Sequence, residues 1–148
     1  MENKNPVLIK ENIILNCKSV DKHTAIQAVG DLLVNHDYVT PKYVEGMHNR
    51  EDALTVYIGN MLAIPHGEYE VINEIKQSGI AIMIYPDGID WSGEEVKVVM
   101  GIAGVGDEHM KILSQTAVLF SEIENVETII SLDNVDAVYD MLTKEYDE

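Results

Sequence analysis

The stretches GIAIMIY at 79–85 and VKVVMGIA at 96–103 are apolar at nearly every position and rich in β-branched residues. A strand with one wet face alternates apolar and polar residues, whereas a strand that is apolar throughout is covered on both sides. These segments therefore read as the centre of a sheet with helices packed against each face. Pro86-Asp87-Gly88 reads as the turn between them. Trp91, in the same connection, reads as a buried anchor rather than a ligand platform.

Upstream, residues 7–16 carry two short apolar stretches and read as a strand or its approach. Across 21–35, Ala25, Ile26, Val29, Leu32 and Leu33 recur at three- and four-residue spacing, an amphipathic helix with Ser19 or Asp21 to accept from its free amides. Thr40-Pro41 starts a second helix, because threonine caps exposed amides and proline at the first position has none to leave unpaired. Tyr43, Val44 and Met47 mark its buried side, and it is expected to end near Arg50 or Asp52. Ile58-Gly59-Asn60 signals a turn, and residues 61–64 form a short strand that stops at Pro65-His66-Gly67.

Downstream, a helix is expected over about 108–121, with Ile112, Leu113, Ala117 and Phe120 on one face. Asn125 and Asp133 read as caps of shorter helices over 126–132 and 134–146. Helices alternate with strands early and cluster late, which predicts an α/β fold, a three-layer α/β/α sandwich with a central mixed β-sheet.

The chain has 148 residues, a length suited to one domain spanning 1–148, and 46% of them are hydrophobic, enough for a real core. With 26 acidic and 10 basic side chains its formal charge is −16. That charge argues against nucleic acid and anionic membrane surfaces as main partners, since both would repel it. Cys17 is the lone cysteine, so an intrachain disulfide and a Cys-rich zinc site are excluded. The N-terminal residues lack the basic start and long apolar run of a signal peptide, and no stretch approaches a membrane span. The expectation is a soluble, cytoplasmic protein.

Five histidines, at 23, 36, 48, 66 and 109, are the side chains whose ordinary pKa lies near physiological pH. His23 and His36 bracket the first helix outside its apolar stripe and read as surface residues. His66 is delivered by an apolar strand to a loop where Gly67 permits close approach of a ligand, and it reads equally as a site residue or as a structural histidine bonded to loop carbonyls. His109 falls in the expected first turn of a helix, a place receptive to anions, although Asp107 as an N-cap explains that stretch more simply. Arg50, at the end of the second helix, either satisfies neighbouring carboxylates and the helix terminus or holds a phosphoryl group through paired hydrogen bonds. No Gly-x-Ser-x-Gly, Walker-type or His-Glu-x-x-His motif occurs, and the glycines at 101, 104 and 106 are out of order for a dinucleotide loop.

Two blocks carry a family resemblance. The first is Asp52-Ala53-Leu54-Thr55 followed by Tyr57-Ile58-Gly59-Asn60-Met61-Leu62-Ala63-Ile64-Pro65-His66-Gly67. The second joins Val99-Met100-Gly101-Ile102-Ala103 to Gly106-Asp107-Glu108-His109-Met110-Lys111-Ile112-Leu113. Together they make the chain resemble enzyme IIA of the mannitol/fructose class, from the bacterial phosphoenolpyruvate-dependent sugar phosphotransferase system. Tyr43-Val44-Glu45, Ser121-Glu122 and Asn125-Val126-Glu127 lean toward the free-standing mannitol type. Asn60 stands where some members have glutamate, and Met61 where glycine is common.

The resemblance implies that His66 is the phosphoryl acceptor, as tele-phosphohistidine, with His109 and Arg50 stabilising the phosphate charge. It implies a relay in which the phosphocarrier protein HPr donates to His66 and a cysteine of the enzyme IIB domain of mannitol enzyme IICB receives the group. The membrane enzyme IIC then moves the sugar. No cofactor or metal is implied, since positioned donors neutralise the equatorial oxygens of an in-line transfer. A regulatory, nitrogen-type enzyme IIA is the competing reading. A metal hydrolase built on His48, His66 and His109 is a third, although their spacing matches no metal motif.

Overall fold

A computed structural model of the chain describes residues 6–106 and 109–143. In chain order these form β1 (Leu8–Ile14), α1 (Lys22–Asn35), α2 (Pro41–Ala53), β2 (Tyr57–Gly59), β3 (Leu62–Ala63), a 3₁₀ helix (Tyr69–Glu74), β4 (Gly79–Trp91), β5 (Glu94–Ala103), α3 (Met110–Phe120), α4 (Ile123–Ser131) and α5 (Val135–Thr143). The strands make one five-stranded sheet in the order β1-β4-β5-β3-β2. It is mixed: β1 runs parallel to β4 and β3 parallel to β5, while β4/β5 and β2/β3 are antiparallel.

The all-apolar strands are covered on both faces, as their sequence requires. Ile80, Ile82 and Ile84 of β4 pair with Ile102, Met100 and Val98 of β5 and face the layer of α3, α4 and α5, meeting Leu119, Phe120, Val126, Ile129, Val138 and Leu142. On the opposite face Ala81, Tyr85, Val99 and Ala103 join the core with Ala25, Ile26, Val29 and Leu33 of α1 and Tyr43, Val44 and Met47 of α2. Small residues set how closely α1 approaches: a Cβ at Gly101 would lie 2.9 Å from Val29 Cγ2. The result is an α/β/α sandwich, and no helix among the described residues is long and apolar enough to cross a membrane.

Several local expectations are corrected. The chain does not turn at 86–88. Instead β4 continues to Trp91, and the register shifts between Ile84 and Ile89, where Pro86 has no amide to give and Gly88 adopts φ +80°. The hairpin turns at Ser92-Gly93, both with positive φ, and Asp90 accepts the Gly93 amide at 3.0 Å. Asp21 caps α1 through the Thr24 amide at 2.8 Å, whereas the Ser19 hydroxyl donates to the Gly88 carbonyl. Thr40 makes no capping bond because its hydroxyl donates to Glu74 at 2.6 Å. Asn125 lies inside α4 and donates to the Leu119 carbonyl, and Asn134 rather than Asp133 caps α5. The expected cap Asp107, the start of the third helix at 108 and residues 144–146 of the last helix lie outside the described residues.

Two polar clusters join α1 to the rest of its layer. His23, read as a surface residue, is paired with His48: their Nδ1 atoms meet at 2.7 Å, with Asp52 Oδ1 on His23 Nε2 at 2.9 Å and Gln27 Oε1 on His48 Nε2 at 3.0 Å. The second cluster centres on Glu51, 3% exposed at the end of α2. Its carboxylate accepts from the Val56 amide at 2.8 Å, from Trp91 Nε1 at 3.2 Å and from Lys22 Nζ at 3.1 Å. Trp91 is thus the buried anchor expected, with its one polar atom satisfied.

Burial by itself pushes the Glu51 carboxyl up, but the donors around it outweigh that and hold it below the ordinary glutamate value. A depressed carboxyl contributes its stabilisation fully above the unfolded value, about 4.3, and loses it as pH falls through the lower folded value. Glu51→Ala strands the Val56 amide and the Trp91 indole N–H in the core and takes the carboxylate from Lys22, which keeps its bond to Ser92 Oγ at 2.7 Å. It is expected to cost about 3–5 kcal/mol at neutral pH in urea unfolding, with the deficit shrinking on acidification below about pH 4.

Candidate functional site

The parallel pair β3/β5 ends in a cleft. After Ala63 the chain stays beside β5: the Ile102 amide donates to the Pro65 carbonyl at 2.8 Å, and His66 bridges to Ile102 in parallel register. His66 is therefore carried on an extension of β3, next to the point where β5 gives way to Gly104. Ligands of open α/β sheets bind at this kind of place, beyond the carboxyl ends of strands. A concavity of about 540 Å³ lies there, lined by Tyr43 and Arg50 of α2, by Ile64, His66, Gly67 and Glu68, by Tyr69 and Ile72 of the 3₁₀ helix, and by Gly104, His109 and Leu113 across from them.

The imidazole of His66 is half-buried, and its Nδ1 lies 2.8 Å from the Ile64 carbonyl oxygen. A carbonyl only accepts, so Nδ1 carries the proton and donates. In the neutral ring the remaining lone pair is then on Nε2. Both sequence-level alternatives meet here, since His66 bonds a loop carbonyl and that same bond selects the nitrogen left for chemistry.

Arg50 likewise does two things at once. Its guanidinium donates to the Leu54 carbonyl, satisfying the terminus of its own helix, and lines the same cleft as His66. An arginine has five N–H donors, so this bond leaves others to offer an anion. His109 immediately precedes α3, and its carbonyl accepts the Leu113 amide. Its ring lies directly on Gly104, where any added Cβ would overlap it. Its buried Nδ1 has no hydrogen-bond partner among the described residues. His66, Arg50 and His109, far apart in sequence, thus share one cleft.

His48 does not join them, because it is bonded to His23 on α1, so the histidine trio of the metal reading is not assembled. Asn60 also lies elsewhere. It starts the β2/β3 turn at φ +50° and donates to the Phe120 carbonyl at 2.7 Å, holding the end of α3. Met61 follows at φ +66°, a conformation that glycine adopts without strain. Two amides beside His66 are already committed within the protein and are not offered to an anion. The Gly67 amide donates to Tyr43 Oη at 2.9 Å and the Glu68 amide to the Gly46 carbonyl at 3.2 Å.

Two contacts of the site carried no signal in the sequence. Tyr43 reads from its spacing as part of the buried side of its helix and from its tripeptide as part of the family resemblance, and Gly104 as one of three glycines out of order for a dinucleotide loop. Neither contact, Tyr43 to Gly67 or Gly104 to His109, involves neighbours at a recognisable spacing.

The family described as "Phosphoenolpyruvate-dependent sugar phosphotransferase system, EIIA 2" matches residues 6–145. The mannitol-specific phosphotransferase enzyme IIA component of Halalkalibacterium halodurans is 46% identical over 132 residues, covering 89% of this chain and 91% of that protein. Among solved structures, IIA mannitol from Escherichia coli superposes with a TM-score of 0.81 at 31% identity, covering 90% of this chain and 96% of the other. A chain from the Escherichia coli complex of enzyme IIAMTL and phosphorylated enzyme IIBMTL gives a TM-score of 0.83 at 30% identity, with coverages of 91% and 96%.

The tautomer of His66 is directly measurable. Long-range ¹H–¹⁵N correlation spectra of the neutral imidazole are expected to show a protonated Nδ1 and a bare Nε2; the reverse pattern would contradict the bond to Ile64.

Proposed function

The chain belongs to the EIIA 2 family of the phosphoenolpyruvate-dependent sugar phosphotransferase system, and from that premise we propose that it is a phosphoryl carrier for mannitol uptake. One domain spanning residues 1–148 would work in the cytoplasm. It accepts a phosphoryl group from phosphorylated HPr on His66 and passes it to a cysteine of the enzyme IIB domain of mannitol enzyme IICB, whose enzyme IIC portion moves the sugar. The observation that carries this reading is the commitment of His66 Nδ1 to the Ile64 carbonyl, which leaves Nε2 as the nucleophile in a cleft that also holds Arg50 and His109.

The Nε2 lone pair attacks phosphorus, the new N–P bond forms in line with the breaking one, and the electron pair of the old N–P bond returns to the donor imidazole. In the second step a thiolate attacks, the S–P bond forms, and the pair returns to His66. Neither step is an oxidation or reduction, and the phosphoryl group alone changes owner. The developing charge sits on three equatorial oxygens, which need donors already in place. The unspent N–H groups of Arg50 are suited to that role, and the imidazole of His109 lines the same cleft across from them. The exposed side chains Tyr69 (82%) and Ile72 (38%), beside this cleft, give a transient partner an apolar rim to close on.

Incubation with phosphoenolpyruvate, enzyme I and HPr is expected to place one acid-labile, alkali-stable phosphate on Nε2 of His66. Full labelling of His66→Ala would overturn the assignment. Arg50→Ala and His109→Ala should still fold and accept phosphate, each about a hundredfold more slowly, the scale of losing one positioned oxyanion donor. The net charge of −16 adds a kinetic expectation if partners present basic residues around their own active centres. The initial rate of transfer from phosphorylated HPr should then fall as salt shortens the screening length from about 30 Å at 0.01 M to about 8 Å at 0.15 M; a flat profile would leave the charge a matter of solubility.

A further inference from the structure

We propose that Tyr43 is a positioning residue for phosphoryl transfer, its buried hydroxyl locking the backbone that flanks His66 onto the end of β5. The proposal rests on His66 being the phosphoryl acceptor. Tyr43 is 3% exposed and comes from α2, an element that contributes nothing to the sheet. Its hydroxyl accepts the Gly67 amide at 2.9 Å and donates to the Ile102 carbonyl at 2.8 Å. Ile102 is the residue that bridges to His66, and its own amide holds the Pro65 carbonyl at 2.8 Å.

The peptide units on both sides of His66 are therefore fixed to β5, one by a direct backbone bond and the other through the tyrosine hydroxyl. The hydroxyl is fully used as one donor and one acceptor. Burial pushes the Tyr43 phenol up to about 12, so the proton it donates is present throughout the working pH range. The ring also fills the space against Gly67, where a Cβ would fall within 2.5 Å of Tyr43 Cε1. Position 67 thus has no room for a side chain, and the loop cannot slide toward α2.

In-line transfer requires the reacting nitrogen within a narrow range of position and angle, and a shift of about 1 Å can cost about a hundredfold in rate. Removing the hydroxyl leaves the Gly67 amide and the Ile102 carbonyl without this bridge, while the ring and its packing stay. Tyr43→Phe is therefore expected to lower kcat for transfer from phosphorylated HPr to His66 by about 10- to 100-fold. KM for phosphorylated HPr should remain within about twofold of the unsubstituted protein, since the phenol is buried and offers no docking surface.

The control separates the two hypotheses. If the unsubstituted protein takes no phosphate on His66, the carrier assignment fails. If it is labelled normally and Tyr43→Phe shows an unchanged kcat, or a raised KM with kcat intact, the positioning role fails. Should the variant not fold, amide hydrogen exchange on the unsubstituted protein decides: strong protection of the Gly67 amide, comparable with that of Ile102, is expected, and exchange at the rate of an open loop would overturn the proposal.

Discussion

Everything in this molecule is arranged around the antiparallel pairing of β4 with β5, two strands with apolar side chains on both faces. Such a pair is stable only when both faces are taken out of water, and neither helical layer can be omitted without exposing a row of isoleucines and valines. The same pairing fixes the site. β3 adds to the free edge of β5 in parallel, and parallel register is what brings His66 to the level of Ile102, where β5 ends. The cleft is thus a consequence of where the central strands stop.

Polar groups placed inside this apolar frame hold α2 in position. Glu51 gathers Lys22 from α1, Trp91 from β4 and the Val56 amide, so it fixes the end of α2 against the sheet and the first helix together. Tyr43, two turns earlier, fixes the same helix to the His66 loop. Arg50 lies between these two attachments, so its place on the cleft is set by buried hydrogen bonds rather than by surface charge. A buried group left without its partner costs about 1–3 kcal/mol, so each of these contacts tolerates little rearrangement of its neighbours.

The parts legible in the sequence are those governed by local periodicity. The all-apolar runs of β4 and β5, the stripe of Ala25, Ile26, Val29 and Leu33, and the Asp21 cap are visible because spacing along the chain is spacing on one face of an element. The turn at Pro86-Asp87-Gly88 was misread for an equally physical reason. Proline and glycine signal departure from regular pairing, and a bulge within a strand uses the same residues as a reversal between strands. The pairing of His23 with His48 is not legible in the sequence because the bond between them crosses from α1 to α2 and leaves no periodic trace. Glu51 is the same case: a glutamate in a helix is ordinarily solvated, and only the arrival of Trp91 and Lys22 from other elements makes it a buried anchor.

By itself the sequence determined the layered α/β fold, because hydrophobic pattern is a property of the chain read in order, and through the family resemblance of its motifs it nominated His66, Arg50 and His109. Only the tertiary structure decided that these three share one cleft, that Nε2 rather than Nδ1 of His66 keeps the lone pair, and that Tyr43 fastens the loop which carries it. The reason is geometric. A carbonyl two residues away selects the tautomer and a hydroxyl on another helix pins the backbone, and the distances that allow both exist only after the sheet and its two helical layers have closed on one another.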